Sequence, residues 1–225
     1  MAEANHFSNL SRMSKSLNRK KLKFVLQHLV CGFTLDAGCG NGLYGLEIFD
    51  KVPALSQCDI VDRRNEEARF LNFFPVDLNM LNKLDASYSN IIALDVIEHL
   101  DDDIRFLCAV REHCTGRLIL SVPNEDDSQL QPLNLTYVHH KDKSHRRQYS
   151  LESLTQTLHE GGFRVIEIKT NYTSGLINAP IALAKDNFFS RTYARFIKLQ
   201  IMVAEKIGLF ENRCIGDWFC AAEPE

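Results

Sequence analysis

Asp36, Asp62, Asp77 and Asp95 each follow a short apolar run, and Gly38, Gly40 and Gly42 come after the first of them at alternate positions. If the runs are parallel strands, these carboxylates meet at one sheet edge and can accept hydrogen bonds from the hydroxyl and amine groups of one ligand. The glycines permit a sharp turn and let that ligand lie against bare backbone. A second set, Glu98, His99, His139, His140 and His145, offers groups that exchange a proton near neutral pH or hold a divalent ion.

The elements that must position these residues are legible as alternating apolar runs and helical periodicities. Residues 33–35 read as a strand, 43–50 as the helix after the glycine turn, and 57–61 as a second strand closing at Asp62, with a polar helix from Asn65. Residues 73–76 and 90–94 read as the third and fourth strands, closing at Asp77 and Asp95. Asp101, Asp102 and Asp103 suit a helix N-terminus, and 117–122 forms a fifth strand stopped by Pro123. Ser150 is placed to cap a helix carrying Leu151, Leu154 and Leu158 on one face. Residues 163–169 and 217–222 complete seven strands. The alternation predicts an α/β fold with a doubly wound, mostly parallel seven-stranded sheet.

At 225 residues the chain has the size of a single domain, 1–225. With 45% hydrophobic and 24% charged residues and a net charge of -3, it shows no global attraction to nucleic acid. Seven cysteines without a Cys-x-x-Cys pair argue against a disulfide framework or zinc ribbon. Free thiols and the absence of an N-terminal apolar segment predict a cytoplasmic protein. Residues 1–31 are basic and read as an N-terminal helical cover, with Arg12 or Arg19 able to reach an anionic ligand. Residues 171–213 form an oversized insertion before the last strand. Tyr193, Ala194, Ile197, Ile201 and Ala204 have helical spacing there, and 177–184 is strongly apolar. The insertion can act as a cap, a peripheral membrane contact or a homodimer surface. Lys185, Asp186 and Asn187 interrupt it, so it is not a single transmembrane span.

Gly40-x-Gly42-x-x-Gly45 fits the dinucleotide fingerprint literally. Asp36 weighs against a pyrophosphate beside it, since a carboxylate there repels phosphate and accepts from an ammonium group. The string Leu-Asp-Ala-Gly-Cys-Gly-Asn-Gly (35–42) resembles motif I of the class I S-adenosylmethionine (SAM)-dependent methyltransferases. That resemblance implies SAM as cofactor. Asp36, Ala37, Gly38, Cys39, Gly40 and Tyr44 would surround its methionine part, Asp62 and Arg63 its ribose, and Asp77 and Leu78 its adenine. Asp95 and Val96 would flank it at the fourth strand.

The string Ile-Ile-Ala-Leu-Asp-Val-Ile-Glu-His-Leu (91–100) resembles small-molecule methyltransferases, including ubiquinone-pathway O-methyltransferases. So do Ser-Val-Pro-Asn (121–124) and the stretch from His145 through 165; the resemblance covers about residues 30–170. It implies methyl transfer to an oxygen, less readily a nitrogen, of a small-molecule acceptor, with His99, His145 or His140 removing the acceptor proton. Relatives that bind a metal use a Glu-x-x-Glu-His string plus a later His, and Glu98, His99 and His145 are the matching alternative here, with Asp95 replacing the first Glu. Two other readings stay open: an RNA methyltransferase, with the basic N-terminus and residues 141–147 on phosphates, and a non-catalytic SAM-binding or membrane-associated accessory protein.

Overall fold

The computed structural model describes residues 17–81, 84, 86–124, 140, 142–174, 187–207, 209 and 213–225. Helix α1 (Arg19–His28) opens the described chain, with the Asn18 side chain accepting from the N–H groups of Lys20 and Lys21 as its N-cap. Strand β1 (Phe33–Ala37) leads into the glycine turn and the short helix α2 (Leu43–Ile48). Strands β2 (Ala54–Asp59), β3 (Asn72–Pro75) and β4 (Tyr88–Leu94) follow. Helix α3 (Asp103–His113) is capped by Asp102, whose carboxylate accepts from Arg105 N–H at 2.8 Å. After β5 (Cys114–Pro123), helix α4 (Leu151–Glu160) starts with a reciprocal capping box between Ser150 and Ser153. Strand β6 (Phe163–Ser174), helix α5 (Phe188–Lys206) and β7 (Arg213–Pro224) end the chain.

The sheet order is β3-β2-β1-β4-β5-β7-β6. Strands β1 to β5 pair in parallel, and β7 inserts antiparallel between β5 and β6. Alternation along the central strands divides the core into two layers. Leu35, Ile91, Leu118 and Cys220 pack with Leu107 of α3 and Leu154 and Leu158 of α4 on one face. Ile92, Ile119, Phe219 and Ala221 pack with Leu22, Phe24 and Val25 of α1 and Ile48 of α2 on the other. Each fully buried side chain of this size contributes about 1.5–3 kcal/mol of transfer free energy. Both faces of β4 and β5 are covered, which is why their sequences read as continuous apolar runs.

The expected fold is present, with local differences. β2 starts earlier and stops at Asp59, so Asp62 lies three positions beyond it rather than at its end. No α-helix follows from Asn65; only a 3-10 turn, Glu66–Ala68, forms there. The reason is Arg64, whose buried guanidinium donates to the carbonyls of Ala68 and Leu71 and closes the segment as a loop. β6 and β7 also run farther than expected, so their connection begins after Ser174 rather than at 171. Residues 177–184, Arg12 and His139 lie outside the described residues.

Candidate active site

The order of the strands reverses between β1 and β4, so the crevice at their carboxyl ends is where such a sheet takes a ligand. The glycine turn crosses this crevice. Gly38 and Cys39 N–H both donate to the Cys58 carbonyl at the end of β2, at 2.8 and 3.0 Å. Gly38, Gly40 and Gly42 all have positive φ, between 53° and 75°, so side chains there would strain the backbone. At Gly40 a side chain would meet nothing within 4 Å, which leaves bare backbone beside open space. Val96 and Leu78 close over Gly38 from β4 and the turn after β3.

Asp36 does not face that open space. It is 3% exposed, beneath the turn, and accepts from Gln57 Nε2 at 2.9 Å and from the Gly45 backbone N–H. Burial pushes its carboxyl up to about 6, against the two hydrogen bonds. Here its carboxylate anchors the first turn of α2 and Gln57 to β1. Gly45 is required by the same packing, because a Cβ there would lie 2.2 Å from Gln57 Nε2. The third glycine of the dinucleotide-like pattern thus reports close helix–strand approach, not phosphate binding.

Asp62 lies beyond β2 rather than at its end. It is exposed and grips the Arg64 guanidinium, with contacts of 3.0 Å to Nε and 2.9 Å to Nη2. Those bonds hold its carboxyl down to about 2. Arg64 Nη1 lies 3.4 Å from Gln57 Oε1, so Asp62, Arg64, Gln57 and Asp36 form one chain of contacts under the turn. Its neighbour Arg63 is exposed. The carboxylate that ends β2 is Asp59, which accepts from Gly40 N–H at 2.9 Å and Ile60 N–H at 2.7 Å. Sequence reasoning missed Asp59 because the apolar pair Ile60 and Val61 prolongs the run. Both are exposed, beyond the strand.

Asp77 sits two residues past β3, and its side chain caps the turn Leu78–Met80 by accepting from Asn79 N–H at 3.0 Å. Asp95 follows β4 with φ 55°, a conformation rare for residues with side chains. Its carboxylate accepts from Ser121 Oγ at 2.8 Å and forms an ion pair with Lys21 of α1. Lys21 is buried. Burial opposes its charge, but Asp95 and Asp217 outweigh this and hold the ammonium above its ordinary range. Among the described residues of the N-terminal segment, Lys21 is the cation that reaches the crevice; Arg19 is exposed. Its signal was its spacing: Leu17, Lys21, Val25 and His28 share one helical face. Tyr44 stands nearby, with its hydroxyl hydrogen-bonded by the Asn18 backbone.

On the other side of Asp95, the turn Ile97–His99 meets the loop before α4. Arg146 N–H donates to the Glu98 carbonyl at 2.8 Å, and this contact brings His145 against His99, ring centroids 4.7 Å apart. Ser144 Oγ lies 3.1 Å from His99 Nδ1. One ligand atom each from Glu98, His99 and His145 fall within 4.8 Å of one another. Glu98 is 1% exposed, and neither carboxylate oxygen has a hydrogen-bond partner among the described residues. Burial, then the charge of Asp95, pushes its carboxyl well above the usual range. For His145, burial followed by His99 lowers proton affinity, and His140 adds to this.

Asp36 gives the site a measurable signature. A carboxyl near 3.8 in the unfolded chain and about 6 when folded disfavours the charged form, so stability falls as pH rises from about 4 to 6. Relative to Asp36→Asn, the wild type should lose about 2 kcal/mol over that range. Urea unfolding at pH 4 and pH 7 measures it, and an unchanged difference between the two proteins contradicts the assignment.

No curated protein sequence matches the chain. Among solved structures, magnesium protoporphyrin IX methyltransferase from Synechocystis PCC 6803 with bound SAH is similar at 15% identity, covering 98% of this chain and 95% of that one, with a TM-score of 0.61. A S-adenosylmethionine-dependent methyltransferase from Clostridium acetobutylicum ATCC 824 is similar at 13% identity, covering 98% of both chains, with a TM-score of 0.60. The [4+2]-cyclase SpnF, at 15% identity and a TM-score of 0.62, covers 92% of this chain and 80% of its own. Likeness at this level shows the fold, and the cyclase illustrates that the fold alone does not set the reaction. The family is shown by sequence: residues 7–168 match the model described as a methyltransferase domain, so the chain belongs to the methyltransferase-domain family and has its class I fold.

Proposed function

We propose that the protein transfers the methyl group of SAM to a hydroxyl oxygen of a small-molecule acceptor. The observation that carries the donor half is the open backbone at Gly40, framed by Asp59 and Asp95 at the switch point of the sheet. Each Asp59 oxygen already takes one backbone N–H and keeps a lone pair for a ribose hydroxyl. Exposed Ile60 and Val61 beside it offer apolar surface to adenine, with Asp77 and Leu78 on the adjoining turn. Ala37, Gly38, Cys39, Gly40 and Tyr44 line the methionine end, where the Lys21–Asp95 pair supplies one charge of each sign for an amino acid's carboxylate and ammonium groups.

Methyl transfer needs the acceptor oxygen, the methyl carbon and the sulfur in line. The oxygen forms a bond to the methyl carbon as the carbon–sulfur bond breaks, and sulfur keeps the electron pair, leaving SAH. The acceptor proton needs a base, and the His99–His145 pair, with His140 near it, stands beside Asp95 at the carboxyl end of β4. This is the feature that supports oxygen as the acceptor, in keeping with the resemblance to ubiquinone-pathway O-methyltransferases.

The orphaned oxygens of Glu98 favour a second version of the same chemistry. A buried carboxylate with no side-chain partner among the described residues, two imidazoles and Ser144 orienting one of them fit a divalent ion. Bound there, such an ion would supply Lewis-acid activation of the acceptor hydroxyl. Glu98, His99 and His145 would hold it.

Two outcomes are expected. By calorimetry, Asp59→Ala should weaken SAH binding about 10- to 100-fold, since a charged hydrogen bond contributes about 1.5–3 kcal/mol. Asp62→Ala should weaken it less than Asp59→Ala does, because that side chain acts through Arg64; the reverse ranking contradicts the site. Separately, protein equilibrated with Mn²⁺ or Zn²⁺ should retain one ion by elemental analysis and lose it in Glu98→Gln. If no ion is retained and a chelator leaves turnover unchanged, the metal version fails. The base version then predicts a loss of about 10²–10⁴ in turnover for His145→Ala.

A further inference from the structure

Helix α5 turns its apolar side outward. At about 100° per residue, Ser190, Ala194, Ile197, Ile201 and Ala204 fall on one stripe. This is the inward side: Ala194 is buried and the other four are half-buried. The opposite stripe carries Phe188, Phe189, Phe196, Leu199 and Val203, continued by Ile207, all exposed, with Phe189 83% and Phe196 55% accessible. A helix packed on a soluble domain has its most apolar face inward. An exposed apolar stripe of this length is a binding surface.

The charges beside it say what binds. Arg191, Arg195, Lys198 and Lys206 follow one edge of the stripe, and Glu205 is the only acidic residue in the helix sequence. We propose that α5 is an interfacial helix that seats the protein on an anionic lipid bilayer. Among the described residues no helix is long and apolar enough to cross a membrane, so the helix lies in the surface plane. Its phenylalanine stripe would sink about 5–10 Å into the headgroup boundary, while the basic edge meets lipid phosphates. The chain as a whole carries -3, so the attraction is local to this helix and not a property of the net charge. A second copy is a poor occupant. Antiparallel pairing of two such faces would set the basic edge of one helix along the same edge of the other.

The test is flotation of the full chain with vesicles of phosphatidylcholine alone or mixed with phosphatidylglycerol. The wild type should float with the anionic vesicles, less at high salt, and bind neutral ones at least tenfold more weakly. Phe196→Asp, and separately Arg195→Glu with Lys206→Glu, should each weaken anionic-vesicle binding at least tenfold without changing the melting temperature. Three results would overturn the proposal: no flotation of the wild type, equal binding of Phe196→Asp, or a dimer by light scattering that Phe196→Asp splits. The last assigns the face to a second copy. None of these readouts depends on methyl transfer.

Discussion

A buried carboxylate under a bare turn is the constraint on which the donor side of the crevice depends. Burial pushes the Asp36 carboxyl up to about 6, and Gln57 and the Gly45 N–H are the groups that favour its charged form. Gln57 is held in turn by Arg64, and Arg64 by Asp62. The network fixes β1, the first turn of α2 and the loop after β2 to one another. The glycine turn then has only one path across the strand ends, with Gly40 open and Gly38 covered by Val96. A site that binds by backbone must hold that backbone rigidly from behind, and polar groups do this where the ligand side has to stay empty.

The acceptor side is built on the opposite principle. Glu98 is buried with no side-chain partner among the described residues, and two imidazoles meet edge to face beside it. Among the described residues no hydrogen-bond partner offsets its burial, and an unsatisfied buried carboxyl is costly to stability. Strain of a second kind sits next to it, in the positive φ of Asp95. Both lie at the end of β4, between the donor crevice and the loop that carries His145. Unfavourable groups collected at one strand end mark the place where stability has been set aside for chemistry.

How much of this was legible in the sequence follows from what each residue does locally. The central strands were, because burial on two faces leaves an apolar run with a turn residue after it. The class of the glycine turn was too. Asp62 was misread because Ile60 and Val61 are apolar yet lie outside the strand, exposed at the crevice, so hydrophobicity overshot the hydrogen-bonded ladder. Lys21 stands among basic neighbours, and its place on the apolar helical face is a faint signal beside its ion pair with Asp95, 74 positions away. The convergence of His99 and His145 rests on contacts between segments far apart in the chain, among them the Arg146–Glu98 backbone bond and Ser144 on His99, which no local pattern encodes. The outward apolar face of α5 was likewise unreadable, since helical spacing defines two faces without saying which one the domain covers.

The most direct measurement is a crystal structure of the chain with SAH. The account predicts ribose hydroxyls within about 3.2 Å of the Asp59 carboxylate, the amino-acid portion over Gly40, and the sulfur directed toward His99 and His145. Ribose held by Asp62, or an ammonium group seated on Asp36, would contradict it.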